Sequence, residues 1–352
     1  MKRIKIAIIA PSFGETGGPE VVAKNLAESL VEKGIDVTLF APADWKTTAK
    51  LIPTLEKSLW NMKGFNKQTD LIRNNYLAKS QLEISNYKKK FDIIHIHSHR
   101  YAYAIAKLVK TPCVLTFHNR IIKQEFNFIK SSGINTVLLS GAYKNKFKSS
   151  AIISNGIDIK KIKCSFLKGK YLIVIGRITE PKGIDVAIKI AKKAKKKLLI
   201  FGRIGDSPER QKYFNKKIKP LLDNNIIFKG QISQNEVFKY LREAEALLFP
   251  IKPAIKNLIV CPLVVMEALA CGTPVIGTNI DPIPKPLKNS EVAFLSNSFN
   301  DLVGAAKFTE KFNRRKCREY AEKYFDSSVM ADKYLELYRK IIDNKSVNKK
   351  TL

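Results

Sequence analysis

The strongest constraint on this chain is a pattern that runs once and then begins again. In the first half, the apolar runs IKIAIIA (4–10), IDVTLFA (35–41), DIIHIH (92–97) and PCVLTFH (112–118) alternate with longer amphipathic or irregular stretches. PEVVAKNLAESLVEKG (19–34) is the clearest of these, with Val22, Leu26 and Leu30 on one helical face, Pro19 at its start and Gly34 at its end. Strands that are apolar without interruption are buried on both faces, and strands separated by helices run parallel. After a polar joint, SNGIDIKKIKCSFLKGK (154–170), the pattern restarts with YLIVIG (171–176), KLLIFG (197–202), NIIFKG (225–230), ALLFP (246–250) and TPVIG (273–277). The expectation is an α/β chain of two doubly wound domains, with a ligand in a central cleft faced by the carboxyl ends of both sheets.

Length agrees, since 352 residues exceed what one ordinary core holds and suit two. No apolar run approaches the roughly 20 residues of a membrane span, and the opening MKRIKIAIIAPSFGETGG reads as strand and loop rather than signal peptide, which predicts a cytoplasmic protein. Cys113, Cys164, Cys261, Cys271 and Cys317 are scattered without a CxxC pair or metal-ligand spacing, and read as reduced. The net charge of +32 raises nucleic acid as a partner, but it is spread almost evenly, +14 over residues 1–161 and +18 over the rest, and no array of base-stacking aromatics accompanies it. Nucleic acid is therefore not expected. Within the first half, residues 46–90 carry +7 and residues 120–150 carry +5, whereas residues 1–45 carry −1. That clustering predicts a face for anionic lipid or an anionic acceptor, and Leu51, Leu55 and Leu59 at helical spacing among lysines predict a helix lying at a lipid interface, against the alternative of a solvated helix packed on its own domain.

Candidate chemistry sits at the strand ends. Gly14, Gly17 and Gly18 in PSFGETGGPE would let backbone approach a ligand just before a helix start. Arg177 and Lys182 in RITEPKG put two cations on one loop, which suits a diphosphate, because Arg binds two oxygens and Lys supplies a point charge. In IVCPLVVMEALACGTPVIGTN (259–279), Pro262 suits the first position of a helix and Glu267 falls about one turn inside it, where a carboxylate needs water or a specific partner. His95, His97 and His99 alternate in HIHSH, on one side of an extended strand, but no carboxylate or cysteine completes a metal pattern, and no metal is expected.

These pieces together resemble the retaining glycosyltransferases of family 4, which have the GT-B fold of two Rossmann-like domains. The resemblance rests on GGPE (17–20), TFH (116–118), SNGID (154–158), GRITEPKG (176–183), FG (201–202), IIFKG (226–230) and PLVVMEALACGTPVIGTN (262–279). It implies an N-terminal acceptor-side domain over 1–161, a nucleotide-sugar domain over 162–326, a helix over 327–345 that returns to the first domain, and a basic tail over 346–352. It implies a hexosyltransferase that moves a hexose-like sugar, with retention, from a UDP- or GDP-linked donor to a glycan or lipid-linked acceptor in glycan or cell-envelope biosynthesis. No cofactor or metal is required, and peripheral contact with the inner face of the cell membrane accompanies the lipid-linked case. By the same resemblance Glu267 holds the ribose hydroxyls, and the helix-start N–H groups near Leu263 and Val264 hold diphosphate and sugar. Arg177 and Lys182 neutralise the leaving diphosphate, His118 bonds a sugar hydroxyl or backbone group, and Gly17, Gly18 and Gly202 approach the donor.

The chain departs from the family at one telling place. Eight residues before Glu267, where the family has its first glutamate, stands Ile259, and Pro262 replaces the glycine of the usual EPFG. The following NIDPIPKPL also lacks the usual paired glycines and Pro-Glu. An isoleucine cannot accept hydrogen bonds from sugar hydroxyls. Two alternatives stay open: a catalytically weak homologue that binds a nucleotide sugar or glycan, and a sugar-nucleotide epimerase of the same architecture.

Overall fold

The computed structural model describes residues 3–350 except 16, 66–68, 88–89, 120, 142–146, 253–261, 281–286 and 288–290. The chain divides into two compact units, Met1–Ile157 with Ser327–Leu352, and Asp158–Asp326.

The first unit is a seven-stranded parallel sheet, β1 (Lys5–Ile9), β2 (Asp36–Ala41), β3 (Lys50–Pro53), β4 (Ile93–Ile96), β5 (Cys113–Phe117), β6 (Asn135–Leu138) and β7 (Ala151–Ile152), in spatial order β3-β2-β1-β4-β5-β6-β7. Ile6, Ile8, Leu39, Ile93 and Leu115 are wholly buried, as two-sided burial of a parallel sheet requires. Helices α1 (Gly18–Glu32), α2 (Asp70–Leu82), α3 (Ala102–Leu108) and α4 (Lys123–Lys130) complete the run of the chain to Ile157. Helix α1 buries Val22, Leu26 and Leu30, the stripe visible in the sequence, and the chain turns beyond it at Gly34, whose φ of 77° disfavours a side chain. The last helix, α11 (Ser327–Lys350), belongs to this unit; it buries Met330, Ala331, Tyr334 and Tyr338 and packs on α1. Its start is tied by the Ser327 N–H to the Ile157 carbonyl (2.9 Å) and by the Ser29 and Ser327 hydroxyls (2.8 Å).

One expectation fails here. The leucines at helical spacing in 46–90 do not share a helix: Leu51 lies on β3, a strand whose last residue is Pro53, while Leu55 and Leu59 are buried with Phe65 and Leu77 in a small core. Proline denies a helix both a donor and the space for its ring. Of Leu51, Leu55, Leu59, Trp60 and Phe65, the apolar residues that a lipid-facing helix would present, only Trp60 is well exposed.

The second unit is a six-stranded parallel sheet, β8 (Tyr171–Ile175), β9 (Leu198–Phe201), β10 (Ile226–Gly230), β11 (Ala244–Phe249), β12 (Val275–Gly277) and β13 (Ala293–Leu295), in order β10-β9-β8-β11-β12-β13. Its helices are α5 (Ile184–Ala194), α6 (Pro208–Tyr213), α7 (Gln234–Glu243), α8 (Leu263–Ala270), α9 (Phe299–Lys307) and α10 (Arg314–Phe325). Ile184, Ile188 and Ala191 of α5 close on Leu172, Leu198 and Ile200 to form its core. In both units the strand order reverses direction once, between β1 and β4 in the first and between β8 and β11 in the second. A crevice opens at such a point because the connections on its two sides leave in opposite directions.

Candidate functional site

The loops that leave β8 and β11 flank the switch point of the second sheet, and they touch. A side chain on Gly183 (φ 66°) would collide with the Pro250 carbonyl, and the Lys252 N–H bonds the Pro181 carbonyl at 3.2 Å. Lys252 also pairs with Glu180 and Asp185, each at 3.2 Å, and Asp185 accepts a 2.6 Å bond from the Tyr213 hydroxyl. Both acidic residues nearest in sequence to Lys182 are therefore engaged elsewhere.

Arg177 and Lys182 share the β8 loop, and the side chain of neither makes a hydrogen bond or ion pair to a described residue. The Lys182 stem lies 3.7 Å from where a Cβ on Gly176 would stand, so it folds back over the end of β8. Burial, and then the like charge of Arg177, push the Lys182 ammonium down to about 8. Arg177 is itself lowered by burial and by Arg210. Two cations held together at an unfavourable local potential, without a carboxylate among the described residues, form a place where an anion relieves repulsion.

Glu267 lies in the second turn of α8, which starts beyond Pro262 with no side-chain cap. Pro262 proves to be the N-cap rather than the first helical residue, so the N–H groups of Leu263 and Val264 belong to the uncapped first turn. Gln234 donates to one Glu267 oxygen at 2.9 Å, and burial pushes the carboxyl up to about 7 despite that bond. Gln234 was missed by sequence reasoning. The signal was present: Ser233 and Glu236 of SQNE form a reciprocal capping box that places Gln234 at the first turn of α7.

Gly202 has another explanation than ligand approach. A Cβ there would lie 1.8 Å from the Gly176 carbonyl oxygen, so its bare backbone (φ 154°) lets the ends of β8 and β9 close on each other. Gly17 similarly makes room for the chain itself, since a Cβ there would overlap the Glu20 carboxylate, 2.0 Å away. Glu20 is buried beneath the glycine loop, accepts backbone N–H bonds from Phe13 and from its own residue, and is pushed up by burial to about 7. Gly18 is the first residue of α1. Ile259 lies outside the described residues, as do 281–286 of the departing loop.

In the first unit His118 follows β5 and is half-buried. Its Nε2 lies 2.9 Å from Nδ1 of His97, with the rings stacked at 23°, and burial holds its pKa down at about 3. The alternating histidines part company. His95 binds the Thr116 hydroxyl at 2.8 Å and the Tyr338 hydroxyl at 2.6 Å, His97 binds His118, and His99 faces Glu125 at 3.3 Å. Among the described residues no group of three or more His, Cys, Asp or Glu side chains is placed to hold a metal ion. His95 links β4 through Tyr338 to α11, a contact no local pattern signals.

Within the second unit, then, Arg177 and Lys182 stand together, while Glu267, on the helix that follows the other switch-point strand, is met by Gln234 of α7. A cavity of about 720 Å³ in the same unit, lined by Phe166, Lys196, Glu245 and Arg314, holds none of them. It lies at the amino-terminal ends of the strands, where Glu245 opens β11, and the open carboxyl ends carry the predicted chemistry.

Two family models match the sequence, one described as glycosyltransferase family 4 over residues 16–140, the other as glycosyl transferases group 1 over residues 157–324. An uncharacterised 41.2 kDa protein in the cps region of Klebsiella pneumoniae is 25% identical, across 92% of this chain and 96% of that protein. The 2-deoxystreptamine N-acetyl-D-glucosaminyltransferase of Niallia circulans is also 25% identical, across 65% of this chain and 69% of that enzyme. Among solved structures, Anabaena HepE in complex with UDP and glucose superposes with a TM-score of 0.70 at 15% identity, covering 96% of this chain and all of that one. A sucrose-phosphate synthase from Thermosynechococcus elongatus superposes at 0.75 with 18% identity, covering 97% and 100%.

Proposed function

Since the chain belongs to glycosyltransferase family 4 and has the GT-B fold, we propose that it moves a hexose-type residue, with retention, from a UDP- or GDP-linked donor to a glycan or lipid-linked acceptor of the cell envelope. The carrying observation is the pair Arg177 and Lys182, two cations beside the second switch point that no carboxylate among the described residues neutralises. In this reading they bind the diphosphate and stabilise the charge that develops as the glycosidic bond breaks. The first-turn N–H groups of Leu263 and Val264 add a positive helix end to the same anion. Glu267 accepts both ribose hydroxyls, and Gln234 holds the carboxylate in position. Gly202 lets the ends of β8 and β9 close beside the donor, Gly17 and Gly18 belong to the ligand-side loop of the first unit, and His118 is that unit's hydrogen-bonding group for a sugar hydroxyl.

Support for a UDP-hexose comes from HepE, whose complex holds UDP and glucose, and support for envelope glycans from the relative in a cps region. Ile259 favours the second reading, a homologue that binds a nucleotide sugar without turning it over. A panel of UDP- and GDP-linked hexoses scored for thermal stabilisation, followed by donor turnover, tests both. A ligand that binds only the native state raises apparent stability by mass action. Stabilisation by one donor with turnover supports the enzyme, stabilisation without turnover under any acceptor supports the binding homologue, and no stabilisation by any donor overturns both.

A peripheral contact with anionic membrane remains part of the proposal, on the basic surface of the first unit rather than on an amphipathic 46–90 helix. Among the described residues no helix is long and apolar enough to cross a membrane. Co-sedimentation with vesicles containing anionic lipid is expected at low salt and is lost as the Debye length shrinks to about 8 Å and below; no binding at low salt refutes it.

A further inference from the structure

We infer that His97 is a positioning residue that fixes the tautomer of His118, so that His118 meets its ligand with an Nδ1–H donor and never with a basic nitrogen. The inference rests on the reading of His118 as a sugar contact and deepens it.

His97 is 1% exposed, and its backbone N–H is anchored to the Ile9 carbonyl at 3.0 Å, so the ring has a fixed place at the end of β4. Its Nδ1 lies 2.9 Å from Nε2 of His118, a hydrogen-bond distance that demands one proton between the two atoms. Its other nitrogen, Nε2, is fully enclosed and meets no hydrogen-bond partner among the described residues. His95 cannot serve, because both its nitrogens are occupied, by Thr116 at 2.8 Å and by Tyr338 at 2.6 Å.

Two neutral arrangements satisfy the short contact. In one, His118 Nε2–H donates to His97 Nδ1; His97 must then carry its own proton on Nε2, leaving a buried N–H without an acceptor. In the other, His97 Nδ1–H donates to His118 Nε2, and what remains enclosed on His97 is a lone pair. Orphaned buried donors are the rarer of the two, so the second arrangement is favoured. Protonated forms do not compete, since burial holds both rings neutral at ordinary pH.

The consequence is chemical. With its Nε2 lone pair taken by His97, neutral His118 carries its proton on Nδ1, the only nitrogen it can offer a ligand. It can donate to a hydroxyl oxygen of a sugar and hold it, but it has no free lone pair with which to remove a proton. Its role is to orient, and His97 acts through it.

The test uses the full chain labelled with ¹⁵N and long-range ¹H–¹⁵N correlation of the imidazoles, alongside steady-state kinetics with the donor found by the panel above. Wild-type protein is expected to show both His97 and His118 protonated at Nδ1. His97→Asn can present an amide N–H where Nδ1–H stood and is expected to keep the His118 tautomer and a near-parental kcat. His97→Phe keeps the ring volume but removes the donor; His118 is expected to become a mixture of tautomers, with kcat lowered about tenfold and a melting temperature matching that of His97→Asn. His118 protonated at Nε2 in the wild type, or an unchanged tautomer in His97→Phe, overturns the inference. A changed tautomer with unchanged kcat and KM leaves the tautomer coupling in place and refutes the reading of His118 as a sugar contact instead.

Discussion

Donor affinity is expected to peak in a narrow window between about pH 7 and pH 8, because its two charged partners are poised in opposite senses. Without ligand, the Glu267 carboxyl sits at about 7 and the Lys182 ammonium at about 8. Ribose hydroxyls donate to the ionised carboxylate, so binding lowers the Glu267 pKa; affinity therefore rises with pH up to about 7 and is flat above it. The diphosphate attracts the ammonium, so binding raises the Lys182 pKa; affinity is flat below about 8 and falls above it. One pH unit beyond either limit leaves only about a tenth of the group in its binding form, so Kd should rise roughly tenfold at pH 6 and again at pH 9, about 1.4 kcal/mol on each side. Isothermal titration with a nucleotide sugar measures this cleanly, because its diphosphate is esterified at both ends and does not titrate in that range. Glu267→Gln should abolish the acidic limb alone and Lys182→Met the basic limb alone. A Kd independent of pH from 6 to 9, or a limb that survives the removal of its own group, refutes the assignment.

Three further outcomes can be measured. Arg177→Ala should cut kcat by about tenfold or more while moving the melting temperature little, since its guanidinium bonds no described residue; an unchanged kcat places the diphosphate elsewhere. Ile259→Glu should change donor selectivity or raise donor hydrolysis if this position stands for the absent family glutamate, and a fall in melting temperature with an unaltered donor profile refutes that alignment. Tyr338→Phe removes the hydroxyl that meets buried His95 at 2.6 Å and should cost about 1–3 kcal/mol in chemical denaturation; no loss means that this hydrogen bond does not help to hold α11.

The strands easiest to foresee were those buried on both faces. IKIAIIA, PCVLTFH and YLIVIG became β1, β5 and β8 within a residue or so of their apolar limits, because a central parallel strand must be apolar throughout. Short strands carried no such mark. Neither NTVL of β6 nor AFL of β13 is long enough to show a period, and β3 was hidden behind leucines whose spacing of four imitates a helix.

The identities of Arg177, Lys182, Glu267 and His118, and their places just beyond or shortly after strands, were determined by the sequence, since local pattern sets where a strand ends and a loop or helix begins. Only the tertiary structure decided what state those groups are in. That Lys182 is deprived of Glu180 and Asp185 follows from Lys252, some seventy residues away, and that Glu267 is half-buried against Gln234 follows from α7 packing beside α8. That His97 ends facing His118 follows from the pairing of β4 with β5. Protonation and tautomer depend on burial and on partners brought from distant parts of the chain, and no local stretch of sequence contains either.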